Sequence, residues 1–247
     1  MSDTLVATSG PVRFARFAFP PNRLGYCGPG DGGELAHYTR GHEDPGLRDI
    51  AAGFEGAYPY LQLLAGANRR HDPLDADVVE AYWIGNELLD HVPLHDFGNS
   101  IDDRFRRRAG ASWQQIENRI PDGVANHSYH VMNAMPWAGL LRDGVVDEPL
   151  RIIDRCRISW ATVIGHVDDS ADASEGRVLV RRLPLVWSGS RLLFGESVVD
   201  AVDSPFPVEL GDVVAIHWDW ICERLDQRQL GWLQRVTNRQ LADLHAG

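Results

Sequence analysis

The chain has 247 residues, of which 44% are hydrophobic and 24% are charged, and its formal net charge is −11. This composition is typical of a globular protein and excludes a chain that is disordered throughout. The negative charge argues against nucleic acid or an anionic membrane as a partner, because both are negatively charged themselves. No apolar run reaches the roughly 18 to 20 residues of a membrane-spanning helix, so no membrane partner is expected.

The sequence also predicts a cytoplasmic location. The N-terminal residues do not combine a basic start with an apolar segment, so they lack the pattern of a secretion signal. The three cysteines, Cys27, Cys156 and Cys222, are too few and too widely spaced for a disulfide scaffold. We therefore expect a reducing compartment and free thiols.

Residues 1–150 are predicted to form a mainly helical domain. Glycine and proline are frequent in its first part, as in "FPPNRLGYCGPGDGGEL", and a proline pair disfavours helix. We therefore expect an irregular segment over about the first 45 residues. After it, apolar residues recur at three- and four-residue steps from Pro45, which predicts a helix that Pro59 kinks or splits.

Further helices are predicted in the rest of this domain. Pro73 and Asp75 are start signals for one of them. Two more are expected around 102–118 and 126–142, and Pro136 interrupts the second.

The periodicity of the sequence changes after Pro149. From residue 151 to residue 225 the segments are short, rich in β-branched residues and separated by turns, which is typical of strands. Four segments are each predicted to be one strand: "CRISWATVIGHV", "GRVLVRRLPLVWSG", "RLLFGESVVDAV" and "GDVVAIHWDWICERL". A hairpin turn is predicted at "WSGS". One helix is predicted after Asp226. The fold class is therefore α+β: a helical N-terminal domain (1–150), then a small β-barrel with a C-terminal helix (151–247).

The last predicted strand has a particular pattern. A Gly-Asp turn, Gly211 and Asp212, leads into alternating apolar residues that end in His217, and a helix start follows. Cys156 lies at the start of the first predicted strand. In these features residues 151–247 resemble the HypC/HupF hydrogenase-maturation chaperones. That family has a small OB-like barrel with a C-terminal helix, opened by a cysteine and ending in such a histidine strand.

This resemblance has departures. In the chaperones the cysteine follows the start methionine, whereas Cys156 is internal, and the middle hairpin of this chain is longer. The whole chain also resembles a bacterial family associated with hydrogenase gene clusters, in the stretches "LGYCGPGD", "DPLDADVVEAYWIGNELL" and "RCRISW". Both resemblances indicate hydrogenase maturation.

The resemblance implies an accessory protein, or chaperone, for NiFe-hydrogenase maturation. The chaperone cysteine holds an iron that carries cyanide and carbon monoxide, and passes it between a maturation scaffold protein and the large-subunit precursor. Those two proteins are the implied partners, and the iron-cyanide-carbonyl fragment is the implied cofactor. Cys156 would bind this iron as a soft thiolate ligand, and His217 would ligate it or hydrogen-bond nearby.

We therefore expect Cys156 and His217 to meet. Closing a small barrel brings its first and last strands together, so their distance in sequence is no obstacle. The other interpretation of His217 is a core histidine bonded to a backbone carbonyl.

Three other residues are candidate ligands or reactive groups. His127 and His130 lie three residues apart, on one face of a predicted helix, and such a pair can chelate a metal when a third ligand joins it. The other interpretation is a pair of packing or surface histidines. Cys27 lies in a glycine-rich turn whose backbone amides could lower its thiol pKa. It is a candidate second thiol, or a small buried residue in a packed loop.

Two alternatives to the maturation protein stay open. One is a metalloenzyme that uses His127, His130 and a carboxylate, and the other is a purely structural adaptor. The sequence contains no nucleophile elbow, no phosphate loop and no dinucleotide-binding fingerprint after a strand. No catalytic residue is assigned, and an enzyme is the less favoured class.

Overall fold

The structure is a computed structural model that describes residues 8–30, 32–167 and 176–243. Helices occupy the chain up to residue 156, short strands follow, and one long helix comes after them. This confirms an α+β fold with a closed β-barrel and a C-terminal helix. None of the helices in these ranges is both long enough and apolar enough to cross a membrane.

Short helices joined by tight turns build the helical region. Two 3-10 turns, Glu87–His91 and Gly110–Ser112, and one π-helical turn, His130–Ala134, lie among them. The α-helices are α1 (Gly10–Arg23), α2 (Gly33–Tyr38), α3 (Pro45–Ala52), α4 (Tyr58–Ala67), α5 (Ala76–Trp83), α6 (Leu94–Ala109), α7 (Trp113–Glu117), α8 (His127–Tyr129), α9 (Trp137–Arg142), α10 (Asp147–Cys156) and α11 (Gln227–Asp243).

The prediction of an irregular N-terminal segment is wrong over α1, which is a buried helix. Ser9 caps it by accepting a hydrogen bond from Val12 N at 3.4 Å. Pro11 lies in the first turn, where its missing N–H has no helical partner to lose. Pro20 and Pro21 lie near the end of the helix, and the core packing of its apolar side offsets the hydrogen bonds that they remove.

The later helix predictions are confirmed with shifted bounds, except that the single helix expected around 102–118 is divided at Gly110 into α6 and α7. The helix expected from Pro45 is split into α3 and α4, and Pro59 lies in the first turn of α4. Asp75 caps α5, as predicted, by accepting a hydrogen bond from Asp77 N at 2.9 Å. Pro136 separates the π-helical turn from α9, again as predicted.

The described strands form a five-stranded closed barrel and a separate two-stranded hairpin. The strands are β1 (Ser159–His166), β2 (Gly176–Arg182), β3 (Leu185–Trp187), β4 (Leu192–Phe194), β5 (Val198–Ser204), β6 (Val213–His217) and β7 (Trp220–Arg224). The order around the barrel is β1-β2-β5-β7-β6, with antiparallel pairs except for β5 and β7. The hairpin of β3 and β4 turns at the predicted "WSGS". Alternate apolar residues such as Val163, Val180 and Val214 fill the barrel.

The four strand predictions need correction. "GRVLVRRLPLVWSG" contains two strands, β2 and β3, and "RLLFGESVVDAV" covers β4 and most of β5. "CRISWATVIGHV" does not begin as a strand, because Cys156 is the last residue of α10 and β1 starts at Ser159. "GDVVAIHWDWICERL" is two strands, β6 and β7, since the chain turns at Trp218, whose φ is 59°. His217 therefore lies at the end of a strand, just before this turn.

The helical region, the barrel and α11 all contribute to one hydrophobic cluster, which is separate from the cluster that fills the barrel. The buried members of this shared cluster include Phe14 from α1, Ala215 from β6 and Leu233 from α11. The predicted boundary at residue 150 falls inside α10. This helix therefore links the two regions, and its last residue, Cys156, lies where they meet.

Candidate metal centre

Three side chains from distant parts of the sequence converge between the helical region and the barrel. His127 begins α8, Cys156 ends α10 and His217 ends β6. Each offers one ligand atom, and these atoms lie within 4.8 Å of one another. The histidines are buried and the cysteine is half-buried. The structure thus brings Cys156 and His217 together, as expected, and adds His127, whereas metal binding by them stays a prediction.

A backbone carbonyl fixes the orientation of His217. Its Nδ1 donates to the carbonyl oxygen of Phe17 at 2.6 Å. In an α-helix this carbonyl would accept from the N–H of the residue four positions later, but that residue is Pro21, which has none. The carbonyl can only accept, so the proton of His217 is on Nδ1. Nε2 then carries a lone pair, and it makes no hydrogen bond of normal geometry with any described residue.

Burial keeps the imidazole of His217 neutral. Burial and then the neighbouring His127 lower the pKa of His217 well below its ordinary value, and the backbone at Phe17 and Cys156 opposes this only in part. The neutral imidazole is the form that binds a metal. The ring of His217 is therefore held in a fixed orientation with its proton on Nδ1, which is the tautomer that binding of a metal through Nε2 would require.

Two hydrogen bonds orient His127. Its Nε2 lies 2.9 Å from the carbonyl oxygen of Cys156, and its Nδ1 lies 3.3 Å from the hydroxyl of Tyr82. Nε2 carries the proton, since the carbonyl only accepts, and the Tyr82 hydroxyl donates to Nδ1. Burial lowers the pKa of His127 to about 4. The Tyr82 hydroxyl can also accept a hydrogen bond, so the imidazole proton of His127 can lie on Nδ1 instead of Nε2. Nε2, which is 4.0 Å from Cys156 Sγ, would then have a lone pair that can bind a metal.

The contact between α10 and the β6–β7 turn places Cys156. The backbone N–H of Trp218 donates to the carbonyl oxygen of Arg155 at 2.7 Å. The residue after His217 is thereby tied to the residue before Cys156. Burial raises the pKa of the Cys156 thiol above its ordinary value, so the thiol is protonated at neutral pH until a metal displaces its proton.

A buried ion network holds the end of α10 on the barrel. Asp154 accepts from Arg182 at 2.9 Å and lies 3.4 Å from Arg157. Asp200 accepts from Arg182 at 2.6 Å and from Arg155 at 3.0 Å. These five residues, called the α10 ion network below, fix the backbone on both sides of the cysteine.

A small inner cavity of about 80 Å³ opens beside the cluster. His127, Cys156, Cys27 and His130 are among the residues that line it. The ring centroids of His127 and His130 are 6.2 Å apart, but His130 is not part of the three-donor group found among the described residues. Burial lowers the pKa of His130 to about 3. His127 and His130 therefore line the same cavity, but the donor group of His127 consists of Cys156 and His217 instead of His130.

Cys27 lies in the glycine-rich turn at the rim of this cavity. Asn22 Nδ2 holds the turn by donating to the carbonyl oxygens of Cys27 and Pro29 at 2.8 and 3.0 Å, and Gly28 adopts a φ of 83°. Burial raises the pKa of Cys27 to about 12, which favours the alternative of a small residue in a packed loop. A thiolate at Cys27 would also raise the pKa of Cys156. Cys27 is thus a neutral thiol beside the cluster.

The donor set of the cluster suits a soft or borderline transition metal. One thiolate and two imidazoles bind ions such as Zn²⁺, Fe²⁺ or Cu⁺, whereas hard cations prefer oxygen ligands. Three protein ligands leave room in the coordination sphere for a further ligand. The inner cavity adjoins two of the three donors, His127 and Cys156, and offers space for it.

Two groups that position the cluster were missed by the sequence interpretation. Tyr82 and the carbonyl of Phe17 hold the two histidines, and neither belongs to a motif. A signal for the second did exist. A proline four residues after Phe17 in a buried apolar helix indicates a carbonyl without its helical partner.

The fold and the site define an α+β protein in which a closed barrel and a helical region enclose a Cys/His₂ cluster. The chain belongs to DUF6390, a family of unknown function, whose model matches residues 6–246. No curated protein and no solved structure matches the chain.

Proposed function

We propose that the protein binds a transition metal through His127, Cys156 and His217 and acts as an accessory protein in NiFe-hydrogenase maturation. One observation carries the metal site: three donors converge, and Nε2 of His217 has a lone pair but no hydrogen bond of normal geometry with a described residue. A buried polar atom without a partner is costly, and a metal ion would supply the partner.

The chemistry of the donors supports a divalent ion. Loss of the Cys156 proton on binding gives one negative charge, and both imidazoles bind while neutral. The net charge left at the site is then smaller than that of the free ion, which lowers the cost of burying it. Low-spin iron with π-acid ligands also favours a soft thiolate donor.

The role in hydrogenase maturation rests on the resemblance to the HypC/HupF chaperones. The structure has the features on which this resemblance rests. A turn at Gly211, whose φ is 93°, leads into β6, and β6 ends at His217 beside Cys156. The cargo is then an iron-cyanide-carbonyl fragment, and the partner is the large-subunit precursor or the maturation scaffold, in the cytoplasm. The barrel is proposed to be OB-like. Unlike the chaperones, this chain presents its cysteine from the end of a helix.

The metalloenzyme alternative is less supported by the geometry. It requires His127 and His130 to share a metal with a carboxylate, whereas His127 shares its donor group with Cys156 and His217. The adaptor alternative leaves the convergence of three donors unexplained.

Metal analysis of protein purified without oxygen tests the metal site. Wild-type protein reconstituted with Fe²⁺ or Zn²⁺ is expected to hold about one ion per chain, as one site of this kind requires. Cys156→Ala is expected to lose the ion while remaining folded, because a small half-buried side chain contributes little packing. Cys222→Ala is the matched control, since Cys222 is a buried thiol outside the donor group. Equal metal content in both variants would refute the site.

A second experiment tests the maturation role separately. The host strain that lacks this protein is complemented with wild type, Cys156→Ala or Cys222→Ala, and NiFe-hydrogenase activity is measured. Wild type and Cys222→Ala are expected to restore activity, and Cys156→Ala is not. If the protein binds metal but its loss leaves hydrogenase activity unchanged, the metal site stands and the maturation role is wrong.

A further inference from the structure

A larger cavity, called the outer cavity here, adjoins the inner one. It has a volume of about 1040 Å³, and its lining shares Cys27 and His130 with the lining of the inner cavity. Helix α6 supplies three arginines to its wall, Arg104, Arg107 and Arg108. The two cavities thus adjoin at these shared residues, and the outer one has three arginines on its wall.

Among these three arginines, Arg104 is the one whose guanidinium group is buried against the helical core. Its guanidinium lies 3.9 Å above the ring of Tyr60, and its Nε donates to the carbonyl oxygen of Ser100 at 2.9 Å. Nη1 and Nη2 are buried and make no hydrogen bond of normal geometry with a described residue, although Arg104 lies close enough to the Tyr60 hydroxyl to oppose the rise that burial causes in the pKa of Tyr60. Buried donors of a charged group are rarely left unpaired, because each lost hydrogen bond to water is costly.

His130 adds a third unpaired polar atom in the same place. Its Nδ1 is buried and has no hydrogen-bond partner in the part of the chain that the structure describes. The ring of His130 meets the ring of Tyr60 edge to face, with centroids 5.7 Å apart. Arg104 and His130 therefore contact the same tyrosine ring, at the junction of the two cavities.

The acidic residues of the outer cavity do not neutralise Arg104. Glu55 is 3.2 Å from Arg108, and both of these side chains are largely exposed to solvent. Asp103 is exposed as well. Neither carboxylate forms a hydrogen bond with Nη1 or Nη2 of Arg104. The inner end of the outer cavity thus keeps a positive charge with free donors.

We propose that Arg104 and His130 bind the carboxylate group of a small organic acid. With Nε occupied, the two Nη atoms present the end of the guanidinium fork, which can donate to both oxygens of one carboxylate. Phe105 and Met135 line the same cavity and provide apolar contacts for the organic part of the acid. This site needs no bound metal, so it stands or falls independently of the metal centre.

Titration calorimetry on the metal-free protein tests the site, with acetate and benzoate as carboxylate probes and sulfate as an inorganic oxyanion. Wild type is expected to bind benzoate more tightly than acetate or sulfate. Arg104→Gln is expected to weaken benzoate binding about 10- to 100-fold through loss of the paired charge-assisted hydrogen bonds. Arg104→Lys keeps the charge but not the fork, and it is expected to weaken binding about tenfold or more.

Arg106→Gln is the matched control. Arg106 lies on the same helix, pairs with Asp102 at 2.7 Å on the surface and is not part of the cavity lining. Its substitution is expected to leave benzoate affinity unchanged. The proposal is overturned if wild type binds no carboxylate, or if a folded Arg104→Lys protein binds benzoate as tightly as Arg106→Gln. Tighter binding of sulfate than of benzoate would overturn the assignment to an organic acid.

Discussion

Two polar groups lie at the end of α10, and they differ in whether their acceptor atoms are paired, although one donor of the first group, Arg157 Nε, also lacks a hydrogen bond to a described residue. In the α10 ion network, Asp154 and Asp200 each accept from two arginines, and Asp154 also accepts from the backbone N–H of Leu185 at 2.8 Å. In the cluster of His127, Cys156 and His217, the donors face one another and Nε2 of His217 has no hydrogen bond within the described chain.

This difference is the one that we expect between a structural group and the proposed metal-binding group. Buried charges that are paired contribute to a fixed geometry, since moving one partner leaves the other unpaired. Buried ligand atoms that are oriented but unpaired cost stability in the metal-free protein and gain a partner on binding. The network thus holds the backbone that presents Cys156, and the cluster is left available for a metal.

The largest expected effect comes from breaking the network. Asp154→Ala leaves Arg157 and Arg182 buried without this carboxylate, and we expect the free energy of unfolding to fall by about 3–5 kcal/mol. Urea denaturation measures this loss in the free energy of unfolding. Asp102→Ala, which removes an exposed pair with Arg106, is the control and should cost less than about 1 kcal/mol. Similar losses in the two variants would show that the network is not structural.

The cluster should lose stability in acid, because the fold holds its buried histidines neutral. The pKa of His127 is about 4 in the folded protein and 6.5 for an unperturbed histidine, so the unfolded chain binds more protons between these values. The stability that His127 contributes is therefore complete above pH 6.5 and is lost as the pH falls to about 4. The expected slope is about 1.4 kcal/mol per pH unit for this one group.

Urea denaturation of the metal-free protein at several pH values between 4 and 6.5 measures this slope. His127→Gln keeps a donor for the Cys156 carbonyl but does not titrate in this range, so its stability should fall less steeply with acid. An equal slope in wild type and His127→Gln would mean that His127 is not held neutral by the fold.

The sequence predicts the parts of the fold and of the cluster that local patterns decide. Alternating apolar residues predicted the barrel, and the start signal at Asp75 predicted the beginning of α5. Barrel closure was enough to bring the strand that ends at His217 next to the chain around Cys156. These features follow from periodicity and topology, which a single sequence displays.

Other features depend on packing that no local pattern shows. The spacing of His127 and His130 left a shared metal open as one alternative, but Tyr82 and the Cys156 carbonyl orient His127 beside the cluster. Prolines in α1 predicted an irregular segment, because their cost is local whereas the burial of Phe17 and its neighbours that offsets it is tertiary.

The smallest expected effect tests how the cluster is oriented, through Pro21. Pro21→Ala supplies an N–H aimed at the Phe17 carbonyl, which then has two donors competing for it: this N–H and Nδ1 of His217. A weakened anchor lets the ring rotate, and metal affinity should fall, by up to about tenfold given the effects of such outer contacts. Pro20→Ala is the matched control, because its new N–H is aimed at the carbonyl of Arg16. Competition with a chromophoric chelator measures both affinities.

The helix itself should gain stability in both variants, since alanine favours helix over proline. A loss of affinity in Pro21→Ala alone therefore cannot be attributed to unfolding. Equal affinities in wild type and Pro21→Ala would mean that the free carbonyl of Phe17 does not prepare His217 for a metal.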